Sequence, residues 1–468
     1  MNELGKKAFK AGVWYTVSSI SLKCVSIITT PIFTRLLSKE NYGIVSNFIA
    51  WYSLISIFCT VSLSYSVGRA KLDYPGKLDK YIGAMQTLSA FITVAIVSVM
   101  LAFFKPVSRF MELTPALLVL LVGYLLFSPA VGFAQNGFRY SYKYKENIII
   151  SLYTALATIV LSFVFIFAFP DDKALGRAIG IALPTILLGG AFWINGLRKK
   201  TLAINLDYWK YGLKLSLPLV IHTVSLNILA QSDRMLITKY CGSGYNGIYS
   251  LAYSYALLIN LVIGAANEAW LPWFHDTYYV GRYDEIRDKV KPFITLECMM
   301  GVGCIAIAPE AILILGGAEY AEGAYVVAPI VMGVICQYVY THYVNVQMTL
   351  KRTGYISAGT VFAAGLNILL NIIFIPIYGY VAAAYTTLTG YIALMLIHYS
   401  INRFVMKSNI YDNKFMFGAV CFVGLLATGL VLAYKTFWLR YFILAVVCFV
   451  YVIMNKEFIT SFFKREKS

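Results

Sequence analysis

The chain is 468 residues long, 59% hydrophobic and only 13% charged, with a mean hydropathy of +0.71. Soluble chains run at roughly 45–50% apolar and about 25% charged, so a soluble enzyme, a secreted disulfide scaffold and a disordered tail are excluded. The formal net charge of +17 would suggest nucleic acid on a soluble protein, but on a membrane protein it points first to basic cytoplasmic loops.

Fourteen apolar runs follow one another, separated by short polar punctuation. Each is long enough to cross a hydrocarbon core of about 30 Å as a helix, and none alternates as a barrel strand would. The first, 11–37, carries Lys23 near its midpoint; the second, 43–68, ends beside Arg69. Then come 82–104, 115–135 and 148–169, and a sixth, 178–196, that contains Gly180 and Pro184. A basic segment from Arg198 to Lys210 leads into 213–238, which holds Lys214, His222, Asp233 and Arg234. Glu268 lies in 248–274 and Glu297 in 293–315, and 326–350, 356–375, 380–402, 415–434 and 437–455 complete the set.

With the N-terminus inside, lysine and arginine favour the cytoplasmic segments by roughly three to one, a strong orientation signal that places both termini in the cytoplasm. The outer segments hold Arg35, Lys39, Lys105, Arg109, Lys173, Arg177, Lys239, Lys435 and Arg440. The first span is too long for a signal-peptide core and reads as a retained anchor. The eight cysteines form no CxxC pair and read as small buried hydrophobes.

The chain also repeats itself. A slide of 204 positions pairs Thr34 with Thr238, Arg35 with Lys239, Gly43 with Gly247, Ile44 with Ile248 and Ser46 with Ser250. One position further, Gly76-Lys77-Leu78-Asp79 meets Gly281-Arg282-Tyr283-Asp284. Six spans per repeat is an even number, so both copies enter from the same side, as in parallel transporter repeats. The expected fold is an all-α integral membrane protein of about 14 transmembrane helices. It comprises a six-helix bundle over 1–200, its repeat over 201–403, and two additional helices with a basic tail over 404–468. Two similar bundles facing a shared cavity suit alternating access.

Ionisable residues within the spans are the candidate site. A lysine at a helix centre costs about 2.5–3.5 kcal/mol on insertion scales and normally faces a bundle interior or a water-filled cavity. Lys23 reads as a cation awaiting an anionic substrate. Arg234, His222, Lys214 and Arg69 extend the candidate cationic cavity, with His222 able to titrate near neutral pH. Asp233, Glu268 and Glu297 are candidates for ion coupling or for pairing with those cations. Adjacent helical residues do not face each other, so Asp233 and Arg234 are no self-contained pair. Aromatic residues abound, and interfacial belts account for many of them.

Several segments resemble bacterial polysaccharide flippases of the multidrug/oligosaccharidyl-lipid/polysaccharide (MOP) exporter superfamily. They are Thr34-Arg35-Leu36-Leu37-Ser38 with Tyr42-Gly43, Ser232-Asp233-Arg234 followed by Asn246-Gly247-Ile248-Tyr249, and Pro309-Glu310-Ala311-Ile312 through Gly316 to Glu319-Tyr320. The resemblance implies movement of an undecaprenyl-diphosphate-linked oligosaccharide from the inner to the outer leaflet of a bacterial cytoplasmic membrane. It further implies a partnership with polysaccharide polymerase and chain-length machinery.

No GxxxxGK[ST] loop, HExxH motif or paired-cysteine site is present. The expectation is therefore a transporter rather than an enzyme, with no cofactor and with energy from a proton or sodium gradient or from product removal. A proton- or sodium-coupled drug exporter of the same superfamily predicts an acidic cavity, which Lys23 disfavours. An integral-membrane polymerase or glycosyltransferase usually needs a long catalytic loop, and no loop here exceeds roughly 20 residues. A lipid II flippase remains the nearest alternative, because its cavity is expected to be cationic too.

Overall fold

The structure, a computed structural model, describes residues 28–454 and residue 456, without the side chains of residues 261, 262, 265, 266, 268, 269 and 454. Among them every regular element is helical, and the chain divides into two compact units, Met1–Gly247 and Ile248–Ser468.

The first unit begins with α1 (28–36). There follow α2 (Lys39–Thr60), α3 (Ser64–Asp73), α4 (Leu78–Ala102), the short α5 (Phe104–Met111), α6 (Pro115–Tyr140), α7 (Tyr144–Ala168), α8 (Lys173–Arg198) and α9 (Leu206–Cys241). Turn chemistry fixes several starts. Ser38, Thr114, Asp172 and Asn205 each accept a backbone N–H from the first turn of the helix that follows, satisfying donors that would otherwise be orphaned. Pro115, right after Thr114, occupies a first-turn position where its missing N–H costs nothing. The break between α2 and α3 falls at Val61 and Ser62, whose φ values of 46° and 51° are left-handed and cannot continue a helix.

Close helix contacts in this unit use small residues. A Cβ on Gly176 would run into the Phe165 carbonyl, and one on Gly180 into Ser162, so α8 lies directly against α7. Gly189 likewise rests on the Phe127 carbonyl of α6. Helices in lipid gain little from burying apolar surface, so backbone approach through glycine is a principal source of packing. Phe48, Leu117, Leu118, Leu121 and Leu125 form the apolar centre between α2 and α6.

The second unit holds most of α10 (Ser243–Ala256), then α11 (Ile259–Tyr279), α12 (Tyr283–Gly316), α13 (Ala324–Thr349), α14 (Thr353–Tyr378), α15 (Tyr380–Ser400), α16 (Asn413–Leu432) and α17 (Phe437–Met454). A 3-10 turn, Ala318–Gly323, precedes α13, and a π turn, Ile401–Val405, ends α15. Helix α13 is the buried axis of this unit, packing against α11, α12, α14, α15 and α16. Its N-terminal half is almost wholly apolar, and its C-terminal half buries His342, Asn345 and Gln347 along with its apolar residues.

The protein is an all-α, many-pass membrane protein. Among the described residues, eleven helices are long and apolar enough to cross a membrane, against the fourteen spans read from sequence. The difference has three sources. Most of the expected first span lies outside the described residues. The expected eighth span is divided at Leu257–Leu258 into α10 of 14 residues and α11 of 21. The last helix is apolar but, counted over Phe437–Ile453, just short of the length needed to cross.

Candidate functional site

The first unit carries an open cavity of about 540 Å³ among α1, α2, α6, α7 and α8. Hydroxyls from Thr29, Ser128, Ser151, Thr154, Thr158 and Thr185 line it, together with Gln135 and Arg177. A polar wall amid apolar helices is the arrangement expected of a binding site, because lipid-facing positions could not carry it.

Arg177 is the cation of this cavity. Asp172 caps α8 by accepting the Leu175 N–H at 2.9 Å, which starts the helix early enough to carry Arg177 on its second turn. The Gly176 and Gly180 contacts then bring α7 close enough for the guanidinium to donate to the Ser162 hydroxyl. Its other face lies 3.7 Å from the centre of the Phe33 ring, a cation–π contact that fixes the plane of the fork. No carboxylate pairs with Arg177 among the described residues. A guanidinium held by neutral groups keeps its charge and fork-shaped donors available for an anion, and phosphate fits that fork bidentately.

Opposite polarity of shape comes from Tyr52 and Tyr124. Their rings stack with centroids 3.8 Å apart and planes 6° from parallel, and both line the cavity. Stacked aromatic faces with hydroxyl rims offer both the apolar plane and the polar edge that a sugar ring presents. Pro129 within α6 withdraws a backbone N–H beside this wall and leaves a carbonyl without its helical donor.

The residues singled out from sequence fall in several places. Lys23 lies outside the described residues, as does the side chain of Glu268. Arg69 is exposed at the end of α3, where its Nε lies 3.0 Å from Asp73 Oδ2 and the Tyr211 hydroxyl donates to the same oxygen at 2.6 Å. Lys214 is exposed on α9 and His222 is half-buried there. Asp233 is 1% exposed. Arg234, beside it, turns back along its own helix, donating to the Ala230 carbonyl at 3.2 Å and to Gln231 Oε1. Glu297 is buried on α12 in the second unit. None of Arg69, Lys214, His222, Asp233 and Arg234 lines the cavity around Arg177.

Arg177 itself reads from sequence as an outer-loop residue, because Asp171-Asp172-Lys173 ends the preceding apolar run. The Gly176-x-x-x-Gly180 spacing is the one local signal that α8 starts earlier and packs closely. The tyrosine pair carries no such signal.

The second unit holds a different concavity, about 580 Å³ between α12, α16 and α17, with an almost wholly apolar lining that includes Met299, Val302, Phe422, Leu426, Phe442 and Val446. On α14 and α15, Asn367 donates to Thr387 at 3.0 Å and Asn371 donates to Asn367 at 3.2 Å. Thr386 donates to Asn371 in turn. This buried network bonds two helices across a region where lipid offers no alternative partner.

Comparison with known proteins adds the evolutionary frame. A family model described as "Polysaccharide biosynthesis protein" matches residues 9–278. The Lsg locus protein 1 of Haemophilus influenzae is 24% identical over 277 residues, which is 58% of this chain and 66% of that protein, just under two thirds of its length. Among solved structures, a lipid II flippase, MurJ, in an inward closed conformation superposes with a TM-score of 0.76 at 16% identity, covering 96% of this chain and all of that one. An inward-facing multidrug resistance MATE family transporter of the MOP superfamily gives 0.64 at 13% identity, covering 84% and 98%. A MOP superfamily transporter from Pyrococcus furiosus gives 0.58 at 14% identity, covering 86% and 96%. At these identities the structural likeness speaks to fold alone.

Proposed function

Since the chain belongs to the polysaccharide biosynthesis protein family, we propose that it is a MOP-type transporter that moves a lipid-linked oligosaccharide from the inner to the outer leaflet of a bacterial cytoplasmic membrane. The observation that carries this reading is Arg177, a cation without a carboxylate partner among the described residues, set in a hydroxyl-lined cavity beside a stacked tyrosine pair. A diphosphate is doubly served there, by the guanidinium fork and by hydroxyl donors. Sugar rings attached to it find the Tyr52–Tyr124 faces. A cationic drug, by contrast, would need an acidic cavity.

The reading extends to the finer architecture. Each expected span from the second onward coincides with one described helix or a consecutive pair, which supports fourteen crossings. Two six-helix bundles, 1–200 and 201–403, with two further helices over 404–468, then follow from the sequence repeat. Both termini are cytoplasmic in this arrangement, and Lys23 joins Arg177 as a second cation for the headgroup. Alternating access is the mechanism, and a polysaccharide polymerase is the expected downstream partner.

The test is binding of undecaprenyl diphosphate carrying a fluorescent sugar to the purified protein in nanodiscs. Saturable binding, weakened by Arg177→Ala and competed by unlabelled undecaprenyl diphosphate, is the expected result. Binding of cationic dyes but not of this ligand would transfer the reading to drug export. Tighter binding of lipid II than of other sugar-bearing lipids would transfer it to the cell-wall precursor.

A further inference from the structure

Among the described residues of the second unit, a carboxyl and an imidazole are buried without hydrogen-bond partners. Glu297, one turn after Phe293 on α12, is 3% exposed, and neither of its carboxyl oxygens has a hydrogen-bond partner among those residues. His342 on α13 is fully buried, and neither of its ring nitrogens is bonded to any of them. Three aromatic rings box the imidazole: Trp270 stands perpendicular at 5.6 Å, Tyr338 lies at 4.8 Å and Tyr411 at 5.8 Å. Tyr338 sits one helical turn before His342 and within electrostatic reach of the Glu297 carboxyl. Trp270 closes the ring of contacts, packing on Phe293 at 5.4 Å.

The groups facing Glu297 are weak acids or apolar. Its own helix brings Cys298, and α13 brings Cys336 and Tyr338. Helix α16 contributes Cys421, which bears on Cys336, and Tyr451 of α17 lines the neighbouring groove with Cys298. From α11, Trp270 packs on Phe293, one turn before Glu297. Of the cations of this unit, Lys291 lies 3.5 Å from Asp288 and 3.7 Å from Asp412, and Arg440 binds Glu310. Among the described residues no basic side chain pairs with Glu297. A carboxylate buried without cation or donor is strongly disfavoured, and the group relieves this by taking up a proton.

We propose that Glu297 is a proton-binding site of the second unit, loaded as the carboxylic acid in the described conformation, with His342 in its aromatic box as the neighbouring proton acceptor. Loading forms one O–H bond on the carboxyl, and release returns the proton to water or to imidazole and leaves a carboxylate. That carboxylate needs donors which the closed α12–α13 packing lacks, so release requires the two helices to part. Occupancy of the proton is thereby tied to conformation, the requirement for a coupling site. The coupling role rests on the transport reading, whereas the bound proton itself does not.

Infrared spectra of the full-length purified protein test the bound proton. Wild type is expected to show the carbonyl band of a protonated carboxylic acid at neutral pH, and Glu297→Gln to lack it. Glutamine matches the neutral acid in shape, and Glu297→Met, of similar volume, serves if the first variant does not fold. In proteoliposomes loaded with undecaprenyl diphosphate carrying one fluorescent sugar, an imposed pH gradient should change the wild-type flipping rate at least several-fold. That ratio should collapse to about one in Glu297→Gln and fall in His342→Gln. Absence of the band from wild type, or an unchanged gradient ratio in Glu297→Gln, overturns the proposal. A wild type that shows the band yet flips nothing overturns the transport reading and the coupling role with it, and leaves the proton site standing.

Discussion

Gly43 and Gly247, which the sequence slide pairs as equivalents, pack against one another: a Cβ on Gly43 would lie 2.8 Å from the Gly247 nitrogen and would run into the Ser243 carbonyl. A Cβ on Gly247 would in turn meet the Lys39 carbonyl. Asn246, fully buried, donates to the Gly43 carbonyl at 2.8 Å. Because the obstructing atoms are backbone, no rotamer change relieves the overlap. Gly43→Ala and Gly247→Ala should each destabilise the protein by about 1–3 kcal/mol. Thermal unfolding in detergent checks this against Gly365→Ala, where nothing lies within 4 Å of the added carbon and no loss is expected.

Arg440 bridges α17 to α12. Its Nη2 lies 2.6 Å from Glu310 Oε1, its Nη1 lies 2.8 Å from Glu310 Oε2, and Nη1 also donates to the Ala306 carbonyl at 2.6 Å. Bidentate, charge-assisted bonds of this kind are the strong ones. Arg440→Met should cost about 1.5–3 kcal/mol, and a second change, Glu310→Gln, should recover part of it by removing the stranded carboxylate. Unfolding of the single and double variants measures both effects.

The guanidinium of Arg177 is expected to carry headgroup affinity. Arg177→Ala should weaken undecaprenyl diphosphate binding by about tenfold, equivalent to about 1.4 kcal/mol. Arg177→Lys should recover only part, because an ammonium lacks the planar fork that Phe33 and Ser162 hold in place. Equilibrium binding in nanodiscs gives the comparison.

Sugar recognition is separable from headgroup recognition. Loss of one stacked aromatic is worth about 0.5–1.5 kcal/mol. Tyr52→Ala should therefore weaken a sugar-bearing undecaprenyl diphosphate by up to about tenfold while changing the bare undecaprenyl diphosphate little. Equal losses for both ligands would assign Tyr52 to the headgroup or to packing instead.

Much of the architecture was legible from sequence because one physical demand, a run of about 20 apolar residues per crossing, outweighs every local propensity. The site was less legible. Arg177 sits beside a polar turn and counts as a loop residue until the helix is seen to begin before it. Which of 36 tyrosines line a cavity depends on helix rotation, and apolar spans with weak periodicity do not reveal it. The divided stretches at Val61–Ser62 and Leu257–Leu258 contain no glycine or proline. Tertiary packing sets those breaks, so the usual punctuation is missing. Glu297 reads from sequence as a candidate for ion coupling or cation pairing, and its burial becomes visible only once the helices are packed.

The most direct measurement is the sidedness of lipid-linked oligosaccharide in cells depleted of this protein, with wild type, Lys23→Ala or Arg177→Ala restored. Accumulation in the inner leaflet with loss of surface polysaccharide, reversed by wild type but not by either variant, is the predicted result. Unchanged sidedness on depletion, in cells without a second flippase, would contradict the account.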